Sequence, residues 1–252
     1  MIDYKESFAR MEKKYILDRN TMSLFLNAAG KRIDEDDYPY SVINSIYFDS
    51  FDNNLISRSM DKPNYKDKIR IRTYSGTVKE DTPAFAEIKR KIDGKVYKRR
   101  IDGSYREMFH WLMTYGSLGD SSQISKEIAY LRDYYGAFIP SMQIGYRRES
   151  FVDACDSSLR ITFDTDIIWR NWDLTESADA YGLRLLEEST VLMEVKVSGN
   201  AVPLWLCRLI GEFGIRTSSI SKYGLAYINS LGKNNCGIIT MNNMKERYIQ
   251  YA

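Results

Sequence analysis

The sequence of 252 residues has few of the side chains that bind zinc or form disulfide bonds. It contains one histidine, His110, and three widely spaced cysteines, Cys155, Cys207 and Cys236, with no CxxC pair. A Cys/His zinc site and a disulfide framework are therefore not expected.

Long apolar runs are also missing, because no stretch of 18 apolar residues occurs anywhere in the sequence. The first 15 residues are charged and lack the apolar core of a signal peptide. We therefore expect no signal peptide and no membrane span, and a cytoplasmic location. A membrane-bound partner stays open, and nothing in the sequence indicates the oligomeric state.

The sequence shows no large excess of either charge, with 36 Lys and Arg against 34 Asp and Glu and a net charge of +2. General attraction to nucleic acid is therefore not expected, and any basic site must be local. Hydrophobic residues make up 44% of the chain, which is enough for a large core.

The clearest local pattern is a predicted β-hairpin over residues 85–101 with Asp93-Gly94 as its turn. A two-residue Asp-Gly loop pairs Ile92 with Lys95, and this register fixes both faces of the hairpin. Ala86, Ile88, Ile92, Tyr97 and Ile101 share one face with Arg90 and Arg99. The other face carries Glu87, Lys89, Lys91, Lys98 and Arg100.

The same period-2 alternation of charged and apolar residues recurs in other predicted strands. Lys68, Arg70 and Arg72 alternate with isoleucines, and similar patterns cover residues 10–14, 159–167 and 193–197. One interpretation is an antiparallel sheet with a solvated charged face. The alternative is that helices cover the apolar faces outside, while the charged faces line a closed or nearly closed tunnel that holds an anion.

Between these predicted strands, the sequence contains signals that predict helices. Asp18 is the predicted N-cap of a helix over residues 19–29, and Pro203 lies in the first turn of a helix over 202–213. Further helices are predicted at 51–60, 104–115, 125–135 and in the later part of 218–231, whereas residues 34–40 are predicted to be an acidic loop. Lys222 near a helix start is unfavourable for the helix dipole, which indicates an anion there.

Nine short motifs in order resemble the VTC-type polyphosphate polymerase domain within the triphosphate tunnel metalloenzymes, over about residues 10–227. The resemblance implies an α+β fold with an antiparallel eight-stranded β-tunnel, a basic lumen and helices outside. Residues 1–232 would form this domain, and residues 233–252 a polar tail or short addition. The motifs are ExKY (12–15), SIYFD (45–49), KIRIR (68–72), ExK (87–89), GxxxKxR (94–100), YxRxxF (146–151), RITFD (160–164), MEVK (193–196) and SKY (221–223).

The resemblance also implies site residues. Glu194 would hold Mn²⁺ or Mg²⁺ and would act in catalysis together with Lys89, Arg148 and Arg160. Glu12 and Glu87 are further candidates for the metal site, or else neutralise lysines. The predicted binding residues for a nucleotide triphosphate, inorganic triphosphate or polyphosphate are Lys14, Arg70, Arg72, Lys89, Lys98, Arg100, Arg148, Arg160, Lys196 and Lys222.

One departure bears on the reaction. The hydrolase branch of the superfamily opens with ExExK, whereas Arg10 replaces the first acidic residue here, which favours a polymerase-like phosphotransferase. Hydrolysis of triphosphates is the alternative, since only the acceptor differs. A third interpretation is a module that binds polyphosphate without catalysis. A fourth is nucleic-acid binding, but cations at every second residue of a strand fit a tunnel better than a surface that binds a duplex.

Overall fold

The computed structural model describes residues 10–61, 63–93, 95–114, 122–175, 179–199 and 201–232. Within these ranges the chain forms ten strands and six α-helices. The predicted tail, residues 233–252, lies outside the described residues. The helices are α1 Arg19–Ala29, α2 Asn54–Met60, α3 Tyr105–Met113, α4 Gln123–Tyr135, α5 Leu204–Glu212 and α6 Lys222–Leu231.

Eight of the strands are nine or more residues long, and two are short. Hydrogen bonding orders them β10-β1-β9-β7-β6-β2-β3-β4-β5, with β8 paired to β7. The pairs β1–β10, β1–β9, β2–β3, β3–β4, β4–β5, β7–β8 and β7–β9 are antiparallel. The strands are β1 Arg10–Asp18, β2 Ile33–Ser50, β3 Tyr65–Thr73, β4 Pro83–Ile92, β5 Lys95–Ser104, β6 Phe138–Asp153, β7 Arg160–Arg170, β8 Leu183–Arg184, β9 Thr190–Ser198 and β10 Arg216–Ser218.

The chain divides into two compact units, and β2, β6 and β7 each contribute residues to both. The first unit comprises residues up to Ser41 together with Arg147–Asp166 and Glu187–Ile220. The second comprises Val42–Tyr146, Ile167–Leu186 and the residues from Ser221 onward.

In the first unit the apolar faces of β1, β7 and β9 pack under α1 and α5. The Asp18 carboxylate caps α1 by accepting a hydrogen bond from the Thr21 backbone N–H at 2.8 Å, and α1 ends at Gly30, whose φ is +50°. Phe25 of α1 lies edge-on to Phe163 of β7, with ring centroids 5.8 Å apart, and both side chains are buried. The predicted cap and bounds of this helix are confirmed.

In the second unit the apolar faces of β3 and β4 pack under α3 and α4. Ile69, Ile71 and Ile88 are buried in one cluster with side chains of both helices. Ser104 and Glu107 form a reciprocal capping box that fixes the start of α3. Helices therefore cover the apolar face in this unit, as the tunnel interpretation predicts.

The prediction of a loop at residues 34–40 is wrong, because β2 runs through them. β2 pairs with β3 over Asn44–Phe48, and Pro39, which has no N–H to donate, lies outside this paired stretch. Asp36 forms an ion pair with Arg160, and Asp34 and Asp37 are exposed. Acidic residues and a proline are therefore compatible with strand structure here.

Candidate functional site

The second unit carries a row of cations on one face of β3, β4 and β5, which we call the basic wall: Lys68, Arg70, Arg72, Lys89, Lys98 and Arg100. The hairpin register predicted from the sequence is confirmed, since Lys89 pairs with Lys98 and Glu87 with Arg100. On the other side of β4, Arg70 pairs with Glu87 and Lys68 with Lys89. The alternation of the three strands thus brings these predicted binding residues onto a common face.

Glu87 is the negative centre of the basic wall. Its side chain is 1% exposed and accepts a hydrogen bond from the Arg70 Nε at 2.8 Å. The Lys98 ammonium lies 2.6 Å from its other oxygen, and the Arg72 Nε lies 3.9 Å away. One buried carboxylate therefore fixes three of the predicted phosphate-binding cations.

The charges around Glu87 shift two pKa values. Burial opposes ionisation of Glu87, but Arg70, Arg72 and Lys98 outweigh burial and hold its pKa well below its usual value. Desolvation and the two nearby arginines lower the pKa of Lys98 to about 8, against the opposing effect of Glu87. The Lys98 side chain keeps 42% of its surface exposed, so solvent reaches this edge of the wall.

Aromatic side chains and a serine contact the cations of this unit, including two that Glu87 also contacts. The Tyr47 hydroxyl accepts a hydrogen bond from the Arg70 Nη1 at 2.9 Å, and the Tyr146 hydroxyl accepts one from the Arg72 Nη2 at 3.3 Å. Lys222, in the first turn of α6, places its ammonium 4.5 Å from the Tyr146 ring centroid. The Lys68 Nζ lies 2.8 Å from the Ser221 Oγ, and the Arg100 guanidinium lies 4.5 Å from the Phe85 ring centroid.

The first unit contains a second charged group, which we call the carboxylate cluster: Glu12, Lys14, Arg148, Asp164, Glu194 and Lys196. Strand pairing places Lys14 opposite Glu194 and Glu12 opposite Lys196. Ion pairs of 3.4 Å join Lys14 to Glu12 and Lys196 to Glu194. Acidic and basic side chains thus alternate across β1 and β9. The predicted site residues Lys14, Glu194 and Lys196 therefore lie together.

Arg148 of β6 joins this cluster through a fully buried carboxylate. Its Nε and Nη2 donate to the two oxygens of Asp164 at 2.6 and 2.8 Å, a bidentate pair with one edge of the guanidinium. Its Nη2 also lies 3.7 Å from Glu194. Asp164 therefore holds Arg148 beside the predicted metal ligand.

The carboxylate cluster fits a divalent cation only in part. Burial opposes ionisation of Glu194, but Lys196, a hydrogen bond with Glu12, Lys14 and Arg148 together lower its pKa well below the usual value. Thr162, opposite Glu194, has a buried hydroxyl without a hydrogen-bond partner. Within the described part of the chain no three acidic, His or Cys side chains form a metal cage. Two carboxylates suit Mg²⁺ or Mn²⁺ that takes its remaining ligands from phosphate and water.

Arg160 forms its ion pair with a residue outside the carboxylate cluster. It is opposite Lys196 in the β7–β9 register, and its guanidinium contacts Asp36 of β2 at 2.5 Å. The guanidinium side chain is 43% exposed, whereas Asp36 is 15% exposed. The structure therefore gives this predicted catalytic arginine an acidic partner within the protein.

The sequence reasoning missed the anchoring side chains Asp164, Asp36, Tyr47 and Tyr146. Strand parity does place Asp164 on the charged face of its strand, beside Arg160 and Thr162. Its pairing with Arg148 depends on which strands are neighbours, and single-strand periodicity does not contain that information. Asp36 was missed because its segment was assigned to a loop.

The VTC domain family matches residues 9–230, which is most of the chain. The chain belongs to the VTC domain family. No curated protein sequence matches this VTC domain. Among the residues that the structure describes, no helix has the length and apolar character needed to cross a membrane.

A solved structure with a similar fold supports this assignment at the level of architecture. An adenylate cyclase-like protein from Bacillus halodurans is 11% identical, with a TM-score of 0.54, over 84% of this chain and 95% of the other. An adenylyl cyclase-like protein from Hippeastrum, described as having a dominant triphosphatase activity, is 15% identical, with a TM-score of 0.49, over 86% and 94%. The VTC domain has the antiparallel α+β fold of the triphosphate tunnel proteins.

Proposed function

We propose that this VTC domain is a metal-dependent phosphotransferase that binds a nucleotide triphosphate or polyphosphate and extends a polyphosphate chain. The observation that carries the proposal is the basic wall, in which six cations share one sheet face around a single buried carboxylate. Phosphoryl transfer requires mainly positioning and charge stabilisation from a protein. A fixed array of arginines and lysines supplies both.

The basic wall would bind phosphate oxygens. Arginine presents a planar fork that suits two oxygens at once, whereas lysine acts as a point charge. Because Arg70 and Arg72 are already fixed by Glu87, Tyr47 and Tyr146, little side-chain entropy would be lost when an anion binds. Lys68, Lys89, Lys98, Arg100 and Lys222 would add charge.

The carboxylate cluster would hold the divalent ion. Glu194 is the proposed ligand and Glu12 its neighbour, since both are carboxylates and the lowered pKa keeps Glu194 ionised at neutral pH. A bound Mg²⁺ or Mn²⁺ supplies positive charge to phosphate oxygens. Lys14 and Lys196 neutralise the two carboxylates in the structure described here.

Arg148 and Arg160 are the proposed groups of the first unit that stabilise the charge of the transferred phosphoryl group, and Lys89 is the proposed catalytic cation of the basic wall. Asp164 orients Arg148 through two hydrogen bonds and lies too deep to contact a substrate itself. Asp36 would leave Arg160 when a phosphate replaces it as the anionic partner. The chemistry assigned to the protein is therefore binding, orientation and charge compensation.

The experiment is incubation of the purified protein with ATP and Mn²⁺, with long polyphosphate and free phosphate measured separately. Long polyphosphate with little free phosphate supports the proposal, whereas free phosphate alone indicates a hydrolase. Glu194→Gln should abolish turnover while metal-free triphosphate still binds, and the exposed Glu212→Gln should behave as the parent. Full turnover of Glu194→Gln at the same metal concentration would refute its role. The proposal includes a cytoplasmic location and a domain over residues 1–232.

A further inference from the structure

The buried carboxylate of Asp49 joins three elements of the second unit. It lies near the end of β2 and is fully buried. It accepts hydrogen bonds from the backbone N–H groups of Leu55 and Ile56 in α2 at 2.8 and 2.9 Å. The Tyr223 hydroxyl of α6 donates a further hydrogen bond to it at 3.0 Å. Asp49 therefore fixes the first turn of α6 relative to β2 and α2.

Tyr223 is the residue through which α6 receives this anchor. Its side chain is buried, and its ring stacks on the Tyr47 ring with the centroids 4.3 Å apart. The Tyr223 hydroxyl also lies 3.3 Å from the Ser141 Oγ. Burial and the neighbouring Asp49 raise the pKa of Tyr223 well above its ordinary value, so the hydroxyl keeps the proton that it donates to Asp49.

The two residues before Tyr223 contact groups of the basic wall and its surroundings. The Lys222 ammonium lies 4.5 Å from the Tyr146 ring centroid. Ser221 is the N-cap of α6, and its Oγ lies 2.8 Å from the Lys68 Nζ. Successive residues of a helix are separated by about 100° around its axis. The anchored Tyr223 side chain therefore sets the direction in which Lys222 leaves the helix.

We propose that Tyr223 and Asp49 are positioning residues for Lys222, because their hydrogen bond holds the first turn of α6 so that the Lys222 ammonium lies beside the Tyr146 ring. This inference rests on the proposed function, since it assumes that Lys222 binds phosphate. A lysine at a helix start opposes the helix dipole and loses side-chain entropy when it is ordered. Tyr223 and Asp49 are buried, so they act through Lys222 and not by contact with the ligand.

The first test is a double-mutant cycle on the affinity for inorganic triphosphate, measured by calorimetry. Tyr223→Phe keeps the stacked ring and removes the hydroxyl. We expect affinity to fall about tenfold in Lys222→Gln and about fivefold in Tyr223→Phe, through a lost or weakened charge-assisted contact. The double variant should match Lys222→Gln within about twofold, because the hydroxyl acts only through Lys222. Additive losses, or parental affinity in Tyr223→Phe, would overturn the positioning role.

The matched control is Tyr227→Phe, which removes the other tyrosine hydroxyl of α6. This hydroxyl lies 3.3 Å from the Ser57 Oγ of α2, one turn further along the helix. Tyr227→Phe therefore weakens the contact between the same two helices and should leave triphosphate affinity unchanged. Equal losses in Tyr227→Phe and Tyr223→Phe would attribute the effect to general loosening of α6 and would overturn the proposal.

A second measurement needs no ligand. Reductive methylation with an isotopic label converts the lysines to dimethyl-lysine, which keeps their charge, and the NMR signal missing from Lys222→Gln identifies Lys222. Its ring-current shift from Tyr146 should shrink in Tyr223→Phe and persist in Tyr227→Phe. An unchanged Lys222 signal in Tyr223→Phe, or no ring-current shift in the parent, would overturn the positioning role. A parent protein that binds no triphosphate would instead contradict the proposed function, and the NMR comparison then decides the positioning role alone.

Discussion

At the scale of single residues, the arginines of this domain owe their orientation to buried acids. Glu87 fixes Arg70 on the basic wall, and Asp164 fixes Arg148 in the carboxylate cluster. In both cases the acid is almost fully buried and the arginine is on the neighbouring strand. A buried charge that loses its partner is strongly destabilising, so these acids contribute to stability as well as to geometry.

We predict that Glu87→Gln lowers the free energy of unfolding by about 3–5 kcal/mol at neutral pH, because three cations lose their common partner. Since the folded-state pKa of Glu87 is lowered, its contribution is complete above the ordinary value of 4.5 and is lost as the pH falls below it. Denaturant unfolding from pH 7 to pH 2 should therefore show a smaller acid-dependent loss in Glu87→Gln than in the parent. Glu80→Gln, at an exposed ion pair with Arg106, is the control. The same acid dependence in parent and Glu87→Gln would show that the pair is not stabilising.

We predict that Lys98 gives triphosphate binding a pH dependence. Its pKa of about 8 means that the ammonium loses its charge as the pH rises through this value, so triphosphate affinity should fall above pH 8. Lys98→Arg should remove that fall, because arginine stays charged. Calorimetric titrations of the parent and of Lys98→Arg between about pH 6.5 and about pH 9.5 measure the difference in affinity between the two proteins. The ligand's own protonation affects both proteins equally and therefore cancels in this difference. Parallel curves would exclude Lys98 from the binding surface.

At the scale of secondary-structure elements, strand parity separates residues that bind from residues that stabilise. We predict that Ile71→Ala and Phe163→Ala each lower the free energy of unfolding by about 2–5 kcal/mol, since both side chains are buried under helices. Arg100→Gln, at an exposed position of the basic wall, should instead weaken triphosphate binding more than it lowers stability. Chemical denaturation and calorimetry of the three variants test this. Normal stability in both apolar variants would mean that the faces have been assigned the wrong way round.

The sequence was sufficient to predict the hairpin, α1 and the faces of most strands. Their signals are local: Asp93-Gly94 specifies the turn, Asp18 and Gly30 bound the helix, and alternation fixes the faces. The pairs Arg148–Asp164 and Arg160–Asp36 could not be predicted, because they depend on which strands become neighbours. The strand at residues 34–40 was missed because its acidic and proline-containing sequence has the composition of a loop.

At the scale of the whole chain, the net charge is only +2, but positive and negative side chains are unevenly distributed. Each compact unit has its own apolar core and its own charged cluster, with cations outnumbering acids on the basic wall. The family match extends over both units, from residue 9 to residue 230. The central claim is that the charged face of β3, β4 and β5 binds phosphate, whereas the opposite face, which carries Arg90 and Arg99 near the turn, does not.

Two neighbouring arginines of β5 test this claim most directly. Arg100 lies on the basic wall above Phe85, whereas Arg99 lies on the opposite face and pairs with Glu127. Each change to glutamine removes one charge from the same strand. Calorimetric titration with inorganic triphosphate should show about a tenfold or greater loss of affinity for Arg100→Gln, from a lost charge-assisted hydrogen bond, and parental affinity for Arg99→Gln. Equal losses in the two variants, or a loss confined to Arg99→Gln, would contradict the assignment of the basic wall.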